Sequence, residues 1–337
     1  MKVTILHDAV TESSRPDEVD ALHQATFVGD ALRKLGHQVA TADVGLDLNQ
    51  LSTRLRQSKP DLVFNLVESL AGHGRLIHVV PAMLEAWRIP FTGGGSIASL
   101  LTTNKPLTKA WLHQHGVPTP AWHYPQAPSL WEVTPPCACI VKPAWEDASV
   151  GIEDNAVVPI SRRSELDAAI QAASQRYGEV FAEQFVEGRE FNLSLLADGD
   201  EVEVLPVAEI EFVDYPPDKP RIVGYAAKWS EGSFEHGATS RRFNFPGSDD
   251  GLLELLRMLA VKCWHLFGLR GYARVDFRVD GFGRPWVLEV NVNPCLSTDA
   301  GFMAAAQRHG LASEEVIERI IAAAMTPYAG KEVAFHA

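Results

Sequence analysis

Residues 271–293, "GYARVDFRVDGFGRPWVLEVNVN", constrain this chain more than any other stretch. Two β-rich runs flank "DGFGRP" (280–285), whose Asp, Gly and Pro supply turn chemistry, so the segment predicts an antiparallel hairpin. Side chains alternate across a strand, which puts Glu289 and Asn291 on one face and Val290 and Val292 on the other. A turn centred between Phe282 and Gly283 sets Asp276 opposite Glu289 and Arg274 opposite Asn291, with all four polar groups on one face. Directly paired positions lie about 4.5–5.5 Å apart. Two carboxylates that close repel unless a cation lies between them. Carboxylate and carboxamide oxygens suit Mg²⁺, which takes few protein ligands and keeps substrate phosphate oxygens in its shell. The competing reading is a solvated hairpin face with an incidental charge cluster.

The chain has 337 residues, enough for two or three lobes. Its net charge of −13 argues against nucleic-acid or membrane-surface partners, both of which favour a basic face. No apolar run approaches the roughly 18–20 residues of a membrane span. "MKVTILHDAV" reads as a first strand rather than a secretion signal. The four cysteines form no CxxC pair; Cys137 and Cys139 are expected to pack a strand, and a reducing cytoplasm is the expected home. Self-association into a homodimer is left open.

The pattern of elements predicts an α/β chain of three lobes. Residues 1–95 alternate strand and helix as a doubly wound N-terminal unit. Residues 96–185 open with "NKPLTKAWLHQHG", pass a Pro-rich connection, and continue through "CACIVKPAW", "EDASVGIED", a helix and "VFAEQFV". Residues 186–325 hold further strands, a polar segment at 230–245, the helix "GLLELLRMLAVKCWHLFG" and the hairpin. The tail 326–337 lacks periodicity and is expected to fray.

"VKPAWEDASVG", "AEQFVEGREFNL", "YAAKW", "GYARVDFRV" and "LEVNVNP" follow in an order and spacing that resembles the ATP-grasp ligases, and most closely the D-alanine–D-alanine ligase branch. The likeness covers about residues 60–325, and no GxxxxGK[ST] P-loop is present. The resemblance implies an N-terminal α/β lobe followed by two α+β lobes that clasp ATP. It implies that Asp276, Glu289 and Asn291 hold Mg²⁺, as two ions, and that Arg274 stabilises the phosphoryl intermediate with a fixed guanidinium. Lys228 resembles the lysine that reaches the phosphates from a mobile loop. Lys142 matches the lysine on phosphate and base, and Lys105 the one opening the ATP-domain helix near the phosphates. Ser149 and Gly151 match a loop that folds over the triphosphate, where small residues let backbone N–H groups approach phosphate oxygens. Adenine is expected against backbone near Gln184 and Val186, with Glu183 accepting from the exocyclic amine and Glu190 from the ribose hydroxyls. The implied chemistry is ADP-forming: ATP phosphorylates a carboxylate, and an amine attacks the acyl phosphate to form an amide. Positioning and electrostatics carry it.

The amino-acid half departs from the family. Glu68 stands where the D-alanine ligases carry a histidine, with Arg75 in the same loop. Trp229 replaces their tyrosine, Pro294-Cys295 their Pro-Gly, and Ala300 the serine on the second carboxylate. Glu12, Glu18 and Asp20 are candidates for the glutamate that holds the first ammonium. Asn293, Cys295 and Ser297, with Glu68, Arg75 and Trp229, are candidate substrate residues; His73, His78 and His236 fall in candidate substrate loops. The expectation is a carboxylate–amine ligase for amino acids or short peptides, with a substrate pair other than two D-alanines. The alternatives are a D-alanine–D-alanine or D-alanine–D-lactate ligase with a diverged pocket, and an ATP-binding module or phosphotransferase without ligation.

Overall fold

Three sheets follow one another along the chain. The computed structural model describes residues 1–12, 14–126 and 135–326, so the tail expected to fray after residue 326 lies outside the described residues. Strands β1 (Lys2–Asp8), β2 (Gln38–Val44) and β3 (Leu62–Asn65) form a parallel sheet in the order β2-β1-β3. Helices α1 (Pro16–Lys34), α2 (Leu48–Ser58) and α3 (Val79–Trp87) accompany it. All four β3 residues are buried, as a strand covered on both faces requires.

Helices α4 (Ser96–Thr103) and α5 (Lys105–Gln114) come next, and the Asn104 side chain caps α5 by accepting from the Leu107 N–H at 2.8 Å. Their Ala98, Leu101 and Leu112 bury against strands of the third sheet, not of the second. The second sheet contains β4 (Trp122–His123), β5 (Cys137–Pro143), β6 (Val157–Ile160) and β7 (Val180–Gln184), ordered β4-β7-β5-β6. Helix α6 (Arg163–Tyr177) covers one face, where Cys139 is buried with Val141, Ile160 and Leu166, a packing role as expected of the cysteine pair.

The third sheet comprises β8 (Arg189–Asp198), β9 (Glu201–Val204), β10 (Ala208–Phe212), β11 (Thr239–Arg242), β12 (Tyr272–Val279) and β13 (Pro285–Asn291). Its order is β11-β10-β8-β12-β13, with β9 paired to β8. Short helices α7 (Tyr225–Trp229) and α8 (Phe234–Ala238) precede β11, and α9 (Asp250–Leu266) packs one face. Helices α10 (Gly301–His309) and α11 (Ser313–Met325) pack near Leu196, Leu205 and Tyr272, in one core with Val28 and Leu32 of α1. That shared core fixes the N-terminal unit against the third sheet.

The hairpin sets Arg274 opposite Asn291 and Asp276 opposite Glu289, as alternation predicted. Beyond them the register shifts, so that Phe277 faces Val287 and Val279 faces Pro285. The turn is therefore centred on Phe282 rather than between Phe282 and Gly283, and Leu288 is the extra residue of a β-bulge. β13 is an edge strand, where a bulge disturbs one ladder only.

Candidate active site

A cavity of about 550 Å³ takes its walls from the second and third sheets and from α1. The bulge turns two consecutive side chains, Leu288 and Glu289, toward it. Arg274, Asp276 and Asn291 line the same wall. Arg274 grips Asp276 through two bonds of 2.8 Å, from Nε and from the terminal nitrogen, and Asn192 Nδ2 donates to Asp276 Oδ1 at 2.8 Å. Burial pushes the Glu289 carboxyl up, but the Lys105, Lys228 and Arg274 cations outweigh burial and hold it below its ordinary range. Burial, with the Arg274 charge beside it, pushes Lys228 down. Among the described residues no group of three or more His, Cys, Asp or Glu side chains gathers to hold a metal. Two carboxylates and one amide oxygen fit Mg²⁺, which leaves the rest of its shell to phosphate and water.

On the opposite wall, Glu183 is buried between two lysines, paired with Lys142 at 2.5 Å and with Lys109. Those cations overcome burial and hold the Glu183 carboxyl below its ordinary range. Sequence reasoning missed Lys109, although it follows Lys105 by one helical turn on the same face of α5. Its Nζ donates to Thr119 Oγ1 at 3.0 Å, and that hydroxyl donates to the Val287 carbonyl at 2.8 Å, next to the bulge. Glu190 pairs with Arg278 at 2.8 Å, while burial pushes its carboxyl up. Arg278 was legible too, since it shares a strand face with Arg274 and Asp276. Ile140, Val186, Ile210, Ile222 and Leu288 give this wall an apolar surface, and Gln184 lines it with its N–H bound to the Ala121 carbonyl at 2.8 Å.

The loop at 146–151 closes one side. Ser149 lines the cavity, with its Oγ donating to the Val223 carbonyl at 2.8 Å and its φ at 62°. Gly151 does not line the cavity. Its φ is +74°, and a Cβ there would stand 2.8 Å from Pro143 Cγ, so the turn requires glycine. Lys105 is likewise not in the lining; its Nζ donates to Asp147 Oδ1 at 2.8 Å and to the Glu146 carbonyl at 2.6 Å, holding this loop. Trp229 Nε1 donates to the Ala148 carbonyl at 2.9 Å, and the Tyr225 hydroxyl donates to Asp17 of α1 at 2.8 Å.

The remaining wall is acidic. Glu68, Glu18, Asp20, His236, Asn293, Cys295 and Ser297 line it, whereas Glu12, His73 and His78 do not. Arg75 also stays outside; its guanidinium stacks 5.6 Å from the Trp145 ring centre, so it neither pairs with Glu68 nor reaches the cavity. Asp8, unforeseen from sequence, accepts from the Glu68 and Ser69 N–H groups at 3.1 Å. Burial raises the Asp8 carboxyl to about 6. Burial first, then the Asp8, Asp147 and Asp20 charges, raise Glu68 to about 8. Asp20 accepts from Ser297 Oγ at 2.9 Å and Cys295 Sγ at 3.1 Å, and burial keeps that thiol protonated.

A family model described as the D-ala D-ala ligase C-terminus matches residues 131–322. A Sinorhizobium fredii protein named "Uncharacterized protein y4sG" is 31% identical over 92% of this chain and 89% of its own length. The D-alanine–D-alanine ligase of Sphingopyxis alaskensis is 31% identical over 89% of this chain and 91% of its own length. That of Gloeobacter violaceus is 32% identical, covering 95% and 98%. The solved D-alanine–D-alanine ligase of Bacillus anthracis complexed with ATP shares the fold, with a TM-score of 0.72 at 18% identity over 96% of this chain and 97% of that one. The fold is therefore ATP-grasp, and the protein is an ATP-dependent, ADP-forming carbon–nitrogen ligase. It belongs to the D-alanine–D-alanine ligase family, whose members go with ATP and Mg²⁺.

Proposed function

We propose that this ligase joins two amino acids, or an amino acid and a short peptide, through an acyl phosphate. The observation that carries the reading is the hairpin wall, where Asp276 and Glu289 face each other beside Arg274 and Lys228. ATP would lie with its purine on the apolar surface around Ile140, Ile222 and Leu288, its ribose near Glu190 and its phosphates toward Lys142 and Lys228. Asp276, Glu289 and Asn291 would hold two Mg²⁺ ions, which offset phosphate charge when bound. The amine attacks the acyl carbon, a C–N bond forms, and phosphate leaves with the electron pair of the C–O bond. The amine proton passes to solvent. Arg274, charged at any working pH, is placed to stabilise the developing negative charge. We place the reaction in the cytoplasm, where ATP is supplied.

The names of the relatives support D-alanine at both positions. One feature favours a different first substrate: the Asp8, Glu68 and Asp20 carboxylates share an acidic wall, which favours a ligand with more than one cationic group. ADP release and mass spectra with D-alanine alone, and with pooled amino acids and dipeptides, separate the two. D-Alanyl-D-alanine as the main product supports the relatives' reaction; another dipeptide supports the second reading. ADP release without any new amide would refute ligation.

A further inference from the structure

The last two residues of β11 are both arginines, and strand alternation sends them to opposite faces. Arg242 pairs with Glu209 and Glu211. Arg241 lines the cavity, and among the described residues no carboxylate lies within ion-pair distance of it. Among the described residues its guanidinium makes one hydrogen bond, from a terminal nitrogen to the Asp299 carbonyl oxygen at 3.0 Å, which fixes it beside the 295–301 loop. Gly301 leaves room there: a Cβ at that position would stand 3.5 Å from Arg241 Nε.

The surroundings raise the local positive potential. The Arg241 side chain is exposed at the mouth of the cavity, where partial desolvation and the Arg274 charge push it down, opposed by the Asp299 carboxylate. Helix α10 begins at Gly301 with no side-chain cap, so its first N–H groups and the positive end of its dipole add to that potential. Ala300 contributes no hydroxyl. Cys295, whose thiol stays protonated, contributes no charge.

An acid substrate presents its carboxylate to the phosphates, on the Arg274 and Lys228 side. A second carboxylate in the cavity requires a second cation. We propose that Arg241 binds the free carboxylate of the amine substrate, which makes the acceptor an amino acid or peptide with an unblocked C-terminus. This rests on the ligase reading above and narrows it. A guanidinium donates two parallel hydrogen bonds to a carboxylate, and a carboxamide offers neither the charge nor the second acceptor oxygen.

The test uses the full chain with ATP and Mg²⁺, and an equimolar mixture of free D- and L-amino acids with the same amino acids as C-terminal amides. Mass spectra count dipeptide acids against dipeptide amides. A parallel arm adds hydroxylamine, an acceptor without a carboxylate, and reads acyl hydroxamate. The wild-type protein should form dipeptide acids in at least about tenfold excess over amides. Arg241→Met should lower kcat/KM for the amino-acid acceptor about thirtyfold, mainly through KM, as loss of a charge-assisted pair predicts. Hydroxamate formation should fall less than about threefold, and Arg241→Lys should recover part of the loss. Equal use of acids and amides by the wild type overturns the proposal, even where a variant fails to fold. Arg241→Met with wild-type acceptor kinetics overturns it too. Neither peptide nor hydroxamate from the wild type refutes the ligase reading itself, and the Arg241 assignment with it.

Discussion

The two halves of the cavity treat charge differently. On the nucleotide side each carboxylate has a cation supplied by the protein: Glu183 has Lys109 and Lys142, Glu190 has Arg278, and Asp276 has Arg274. On the amino-acid side Glu18 pairs with Arg15 and Asp20 has only His23 at 3.7 Å, while Asp8 and Glu68 face each other with no ion pair among the described residues; Arg75, in the same loop as Glu68, turns away to Trp145. A paired carboxylate is held in position whether or not a ligand is present, although burial still pushes the paired Glu190 up. An unpaired one shifts its proton affinity and depends on what enters. On the proposed placement of ATP, the nucleotide half is thus organised before binding, whereas the acidic wall would gain its counter-charge from substrate.

Removing a charge from the organised half should have the largest effect. Glu289→Ala should lower product formation about a thousandfold, in the range known for single electrostatic groups, with the circular dichroism spectrum unchanged. An active variant would remove the hairpin face from the mechanism. Lys109→Met comes next: it leaves the buried Glu183 with one cation and should cost about 3 kcal/mol of stability in denaturant melts. In calorimetry it should also erase any preference for ADP over inosine diphosphate, whereas a merely structural loss would weaken both alike.

The acidic half should give smaller changes and a pH signature. Glu68→Gln should raise the amino-acid KM about tenfold and leave the ATP KM within about twofold. Its folded-state value near 8 lies above its ordinary 4.5, so protonated Glu68 stabilises the fold. That contribution is complete below about 4.5 and is lost as pH rises toward 8. Melting temperature of the wild type should therefore fall across that window relative to Glu68→Gln. Parallel curves would show that Glu68 is paired like its nucleotide-side counterparts. The smallest effect is expected at Arg75→Ala, under about twofold on every kinetic constant, since its stacking partner lies outside the cavity.

What could be read from sequence follows from range. The hairpin face was legible because two short strands and one turn fix it, and alternation alone brings Asp276 to Glu289. Lys142 stood out inside an apolar strand and Lys228 came from the family resemblance, and both line the cavity. Lys109, Asp8 and Arg241 were not recognised, because their partners are distant in sequence: Glu183 from β7, Ser69 from the loop after β3, and Asp299 from the approach to α10. The local role of Gly151 was not legible either. A glycine in a small-residue loop looks the same in one dimension whether it faces a phosphate or the flank of Pro143.

The bulge at Leu288 makes β13 one residue longer than its pairing requires. Excising Leu288 would let Val287 and Glu289 become consecutive, still opposite Phe277 and Asp276. Regular alternation would then run from Trp286 to Asn291 with no side chain changing face. Leu288 is thus an addition to the ladder and not a replacement within it, a point where the gene can gain or lose a codon without scrambling the protein. A deletion at this position should leave a folded hairpin with its metal-side groups in place and a missing patch of floor under the purine. Most single-residue deletions inside a strand should not be so forgiving.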